Sequence, residues 1–223
     1  MGEKKDLVSK RWELSSRRVL IDRCLEKETK IILSAGQSLR IILLPHQNHS
    51  QKSLEVFLRG DHSRVEILGA VLGRGQDRFN LDVKTIHQGV GTSAYTHVRG
   101  VLFDESYVSF SGLIRIDKGA NKTSSLLENR VLVLGEKARA ESIPSLEIEA
   151  DDVKASHAAT VGKIDPDQLF YLQSRGIELK TAVRMIVDGF FDPILSKIDD
   201  EKLVARIKGD LWVDILREST LAR

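Results

Sequence analysis

The sequence predicts a mainly β fold that ends in helices, and three observations carry that expectation. Through Glu149 the chain is built from apolar runs of four to seven residues, rich in Val, Ile and Leu and bounded by Gly, Ser, Asp or Pro. Runs that short read as strands, because helices usually need about ten residues or more. From Thr96 onward turns recur every 13 to 18 residues or so, too short for a helical repeat and suited to strand-turn-strand coils stacked on one another. Helical periodicity begins only past Asp165. On pattern alone, stacked parallel coils and an antiparallel sandwich both satisfy the turn spacing.

The elements follow in order. Residues 1–18 are charged with little apolar period and are expected to be a loose tail or one short helix. Strands are expected at Val19-Leu20-Ile21, at Lys30 to Leu33, and at Ser38 to Leu44, where Pro45 halts the run. Ser53 to Leu58, Arg64 to Leu68 and Phe79 to Ile86 repeat the grammar, and alternation in Leu54/Val56/Leu58 and Leu81/Val83 puts one face inward. Gly69 to Gly75 and Gln88 to Gly91 are expected to be corners or loops. Four runs then end in turns: Val98 to Phe103, Leu113 to Ile116, Val131 to Leu134 and Leu146 to Glu149. Each is followed by a brief second run, marked by Val108, Ala120, Ala138 and Val153.

The helices are announced by Asp165 as an N-cap with Pro166 at the first helical position, where a missing N–H costs nothing. Gly176 ends that helix in the left-handed conformation. A second helix fits Leu179 to Phe190, with Leu179, Val183, Ile186, Val187 and Phe190 on one face and Asp192-Pro193 as its breaker. A third starts at Asp199-Asp200-Glu201 and shows the stripe Leu203, Val204, Ile207, Leu211, Ile215. Gly209 inside it costs ~1 kcal/mol relative to alanine, so packing rather than propensity must hold that helix. The expected organisation is a tail (1–18), a β core (19–164) and a helical subdomain (165–223) that is a small cap on the last coil or a docking module.

Composition narrows the function. Across 223 residues, 34 basic residues against 32 acidic leave a net charge of +2, without the concentrated basic stripe of a nucleic-acid surface. The pairs Lys4-Lys5, Lys10-Arg11 and Arg17-Arg18 read as a solvated terminus. A single cysteine, Cys24, excludes an internal disulfide framework and any C-x-x-C site, so a reducing cytoplasm is the expected compartment. No run approaches the ~20 apolar residues of a membrane span, and the polar opening is unlike a signal peptide.

Three ordered blocks carry a family resemblance: Leu146-Glu147-Ile148-Glu149-Ala150-Asp151-Asp152-Val153, Ser156-His157-Ala158-Ala159-Thr160-Val161-Gly162-Lys163-Ile164-Asp165, and Leu169-Phe170-Tyr171-Leu172-Gln173-Ser174-Arg175-Gly176-Ile177. They resemble the C-terminal signature of the SufB/SufD family of iron–sulfur cluster assembly scaffolds, nearer its SufD branch, with weaker similarity back to about Thr85. The resemblance implies a right-handed parallel β-helix, and so selects stacked coils over a sandwich. It further implies a scaffold subunit that binds a SufC-type ABC ATPase and pairs with SufB or with itself. The longer N-terminal helical region of many relatives is not recognisable.

The resemblance also assigns candidate residues. His157 matches a histidine implicated in cluster formation at the subunit interface, and neutral imidazole is a competent iron ligand; any cluster would be transient there. Leu169, Phe170, Tyr171 and Arg175 lie in the segment similar to the ATPase-binding helix. Two positions depart from the pattern. Ala155 stands where SufD proteins commonly have cysteine, which removes one thiolate, and Ala158 replaces a usual glycine. An interaction protein of the same family that has lost cluster chemistry is therefore the alternative.

The remaining candidates read as structural. Cys24 is expected to be a small buried hydrophobe. His46 and His49, at i, i+3 after a proline, belong to a surface loop, and His87 is expected to make a corner hydrogen bond. Gly73-Arg74-Gly75 and Gly89-Val90-Gly91 lack the spacing and lysine of a phosphate loop. Asp104-Glu105 and Asp151-Asp152 fall in turns, where carboxylates cap backbone N–H groups. Neither a nucleophile–base–orienter set nor the converging acids of a glycosidase groove is legible, so no catalytic turnover is expected.

Overall fold

A computed structural model describes residues 18–21, 27–45 and 49–217. Cys24, His46 and most of the expected N-terminal tail lie outside the described residues, as do the side chains of His49, Leu211 and Ile215. Among the described residues eleven strands precede three helices. The strands are β1 (Arg18–Ile21), β2 (Glu28–Leu33), β3 (Ser38–Leu43), β4 (His49–Leu58), β5 (Arg64–Gly73), β6 (Arg78–His87), β7 (Ser93–Leu102), β8 (Tyr107–Ile116), β9 (Thr123–Val133), β10 (Arg139–Ile148) and β11 (Val153–Gly162). The helices are α1 (Pro166–Ser174), α2 (Leu179–Leu195) and α3 (Glu201–Arg217).

Odd-numbered strands form one sheet in the order β1-β3-β5-β7-β9-β11 (sheet A), and even-numbered strands form the other, β10-β8-β6-β4-β2 (sheet B). Every pairing is parallel. The chain thus alternates between two sheets, one coil per strand pair, as a parallel β-helix; the sandwich is excluded because its pairs would run antiparallel. Val65 stands in register with Ala94, Ala94 with Ser125 and Ser125 with Ala155. A full coil therefore spans about 30 residues and contains two turns, so the turn spacing legible in the sequence is half a coil.

Alternate residues of both sheets fill the lumen between them, where Leu33, Ile41, Val56, Leu58, Ile67 and Phe110 are all 0–1% exposed. Most strands run longer than expected. In particular β5 continues through Gly69 to Gly73, which were expected to be corner residues, and the turn is confined to 74–77. Gly69 and Gly73 are there because their neighbours leave no room: a Cβ would sit 2.9 Å from Val98 at the first and 2.7 Å from Leu102 at the second.

Corners stack tightly as well. A Cβ on Gly60 would lie 1.9 Å from the Ala35 nitrogen, so one corner rests on the backbone of the next. Hydroxyls staple two of these turns, Ser63 Oγ donating to the Gly60 carbonyl (2.7 Å) and Ser106 Oγ to the Phe103 carbonyl (2.6 Å).

The helices cover part of sheet A's outer face rather than capping the last coil, because the apolar stripe of α2 finds its partners on the flank of the solenoid. Val183, Val187, Phe191 and Leu195 of α2 join Ile42, Ala70, Val101 and Phe103 in a second apolar cluster. The buried stripe of α2 is thus Val183/Val187/Phe191 rather than one including Ile186, which is half-buried. Asp192-Pro193 does not break the helix, which runs on to Leu195. Proline in the last turn forfeits one backbone donor, and burial of Phe191, Ile194 and Leu195 outweighs that loss.

Candidate functional site at the open last coil

Each internal strand has a neighbour on both sides, but among the described residues β10 pairs only with β8, and β11 only with β9. The last coil therefore presents unpaired backbone groups along two strands. It also leaves the lumen open. In register, Leu146 and Ile148 continue the buried Ile114 and Ile116, and Val161 continues Val131, yet these three are 38%, 43% and 45% exposed. Their parity aims them into the lumen, at an end that no further described coil covers, which is why residues that look like core are found in solvent.

His157 sits in this opening. It is in register with Leu127, a fully buried lumen residue, so its imidazole has lumen parity although it is exposed. Two residues earlier on the same side, Ala155 packs its methyl against the lumen core. Ala158, of opposite parity, continues the rung that holds His97 and Glu128 on sheet A's outer face. As a donor set the opening offers one imidazole, and among the described residues no group of three His, Cys, Asp or Glu side chains could hold a metal ion. An iron–sulfur cargo held here would take its other ligands from elsewhere.

The model for the domain described as "SUF system FeS cluster assembly, SufBD core domain" matches residues 33–190, which take in the solenoid from the end of β2 together with α1 and most of α2. The chain belongs to the SufB/SufD family. It is 40% identical over 144 residues to the iron–sulfur cluster assembly protein SufD of Bacillus subtilis, covering 65% of this chain and 33% of that protein. To SufD of Escherichia coli it is 39% identical over 121 residues, covering 54% and 28%. A SufBD family protein of Pyrococcus horikoshii is 36% identical over 145 residues, covering 65% and 32%. The matched region is about a third of the length of these relatives.

In this SufB/SufD chain the other candidates gather on α1, away from His157's strand. Asp165 caps α1 by accepting from the Asp167 N–H at 2.9 Å, as the sequence indicated. Gly176, at φ 82°, closes it, and the Ile177 N–H returns to the Leu172 carbonyl at 3.2 Å in a Schellman-type end. None of α1's residues is buried. Leu169 leans on the sheet A cluster, while Phe170 and Tyr171 are 73% and 57% exposed. The Arg175 guanidinium lies 5.2 Å from the Tyr171 ring centroid. Asp165, Asp167, Gln168, Tyr171, Leu172 and Ile186 line a shallow groove between α1 and α2.

The remaining histidines take structural places. His87 is fully buried in the lumen, its Nδ1 2.8 Å from Thr92 Oγ1 and its Nε2 3.1 Å from Ser125 Oγ. His62 holds a corner at φ 58° with its ring over Gly91. Asp104 Oδ2 accepts from the Gly75 N–H at 2.7 Å, a turn cap as expected. Sequence reasoning did not find the polar cluster on sheet A's outer face. There Arg40 and Lys197 both bind Glu66 at 2.7 Å, and His97 meets Arg99. Its members are 131 residues apart in the case of Glu66 and Lys197, and no local pattern signals such a pairing.

Proposed function

We propose that this chain is a SufD-like scaffold subunit of the SUF iron–sulfur cluster assembly machinery, working as an assembly platform without turnover of its own. The open last coil carries the reading: β10 and β11 offer unpaired edges around Leu146, Ile148, Val161 and His157. A SufB-like subunit, or a second copy, completes the lumen by adding its own last coil, which buries these side chains and pairs the edge backbone. His157 then faces the partner and supplies one ligand to a transient cluster whose remaining ligands belong to that partner. A SufC-type ATPase docks on α1 through Phe170 and Tyr171, with Leu169 and Arg175 fixing the helix's seat and its aromatic face. Among the described residues no helix is long and apolar enough to cross a membrane.

The test is anaerobic reconstitution with iron and sulfide in the presence of SufB- and SufC-type partners, comparing wild type with His157→Ala. Lower cluster content in the variant's complex, with the complex itself intact, supports the reading.

Ala155 favours a second reading, in which pairing persists and cluster chemistry is gone. Its methyl packs on the core where a thiol would otherwise face the opening. Equal cluster content with and without the His157 imidazole selects that alternative.

A further inference from the structure

We propose that His97 and Arg99 form a proton-sensitive latch that clamps the C-terminal half of α2 to sheet A near neutral pH and releases it on acidification. Both side chains project from β7 on the outer face and are almost fully covered, His97 being 3% exposed. The Arg99 Nε–H donates to His97 Nε2 at 2.9 Å. That nitrogen must carry a lone pair, so the ring is neutral with its proton on Nδ1, where Tyr95 Oη lies at 3.1 Å. From this position Arg99 reaches the helix twice: Nη1 donates to the Phe190 carbonyl, and the guanidinium lies 5.0 Å from the Phe190 ring centroid. The imidazole lone pair thus aims the arginine that holds α2.

Protonating His97 removes the acceptor and sets two cations in contact. An alternative partner is in place, because Glu128 Oε1 of β9 stands 3.7 Å from His97 Nε2. The charged ring can turn its new N–H to Glu128, which also pairs with Arg130, and Arg99 loses the acceptor that fixes its Nε while a cation stands beside it. The groups facing His97 are Tyr95 and Arg99 on its own strand, Glu128 and Arg130 on β9, and Lys197 just beyond α2. Burial pushes its pKa below the usual histidine range, Arg99, Lys197 and Arg130 push the same way, and Glu128 opposes them.

A second attachment makes no hydrogen bond to the imidazole. Arg40 Nη1 donates to the Lys197 carbonyl (2.8 Å), and Lys197 Nζ returns to Glu66 (2.7 Å). Acidification therefore frees α2 around Phe190 while its far end stays tethered, which changes the helix's tilt rather than detaching the subdomain. Because α1 packs on α2, the tilt sets how α1's exposed face is presented.

The test uses the full chain. Nitrogen-15 NMR of the histidine rings is expected to find His97 as the Nδ1–H tautomer at pH 7.5, titrating below the ordinary value of about 6.5. Amide exchange, corrected for its intrinsic pH dependence, is expected to rise at least ~tenfold in residues 186–195 relative to β5 and β7 between pH 7.5 and a pH about one unit below the His97 midpoint that the NMR titration reads. His97→Gln keeps an oxygen acceptor without a titrating group and should abolish that relative rise, while Arg99→Lys should show fast exchange already at pH 7.5. An Nε2–H tautomer or a charged ring at pH 7.5 would overturn the proposal, and so would a pH-independent exchange ratio in wild type or an unchanged rise in His97→Gln.

Discussion

His87 Nε2 lies 3.1 Å from Ser125 Oγ inside the lumen, and Ser125 is the rung directly beneath Ala155 of the open coil. An imidazole so enclosed has no water to share a charge with, and burial alone pushes its pKa down to about 4.

Stability should therefore fall on acidification. An unfolded histidine takes a proton near pH 6.5, whereas the folded one resists until about 4. The stabilisation is fully present above 6.5 and is lost as the pH drops through that window, by roughly 3 kcal/mol at the acid end. Urea unfolding at pH 7.5, 5.5 and 4 should show this decline, and His87→Gln should make it shallower, leaving the His97 contribution, while lowering stability at pH 7.5. An unfolding free energy unchanged between pH 7.5 and 4 would contradict the assignment.

Corner stacking makes Gly60 irreplaceable. With a Cβ 1.9 Å from the Ala35 nitrogen, Gly60→Ala must displace backbone, and a cost of about 3 kcal/mol or more is expected. Gly162→Ala meets nothing within 4 Å and should stay within ~0.5 kcal/mol of wild type. Thermal melts of the two variants side by side read the difference.

Phe170 and Tyr171 contribute little to folding because both rings stand in solvent. Replacing the two with alanine should leave the melting temperature within about 2 °C of wild type. Capture of a SufC-type ATPase in a pull-down should fall severalfold. Undiminished capture would move the docking site elsewhere.

Much of this architecture could be read from the residues, and the misses have physical causes. The turns at Gly75 and Asp104, the Asp165 cap and the Gly176 stop are signalled within a few residues, although the bond that joins Asp104 to Gly75 spans 29 residues. Stacking was not local: whether Val65 meets Ala94 in parallel or some other strand in antiparallel is a contact across 29 residues, and the family signature selected it. Gly69 and Gly73 looked like turn formers because glycine is common in turns, but here they yield space to Val98 and Leu102. Pro193 looked like a breaker because a local rule takes no account of Phe191 and Leu195 buried beneath it. His157 was singled out through its motif, and its lumen parity at an open end follows only from the register with Leu127.

Charge on the opening should separate pairing from folding. Ile148→Lys with Val161→Lys places ammonium groups on side chains already in solvent, so the isolated chain should keep its melting temperature. Its association with a SufB-like subunit, or with itself, should weaken at least ~tenfold because the charges would be buried on pairing. Sedimentation or light scattering across a concentration series measures both cases.

The most direct measurement is amide hydrogen exchange across β10 and β11 in the isolated chain and in complex with SufB- and SufC-type partners. Slower exchange from 139 to 163 in the complex, with β4 to β7 unchanged, is the expected result, since pairing occupies the free strand edges and closes the lumen. Exchange at 139–163 that does not respond to a demonstrably bound SufB-like subunit would contradict the claim that the last coil is where the second subunit joins.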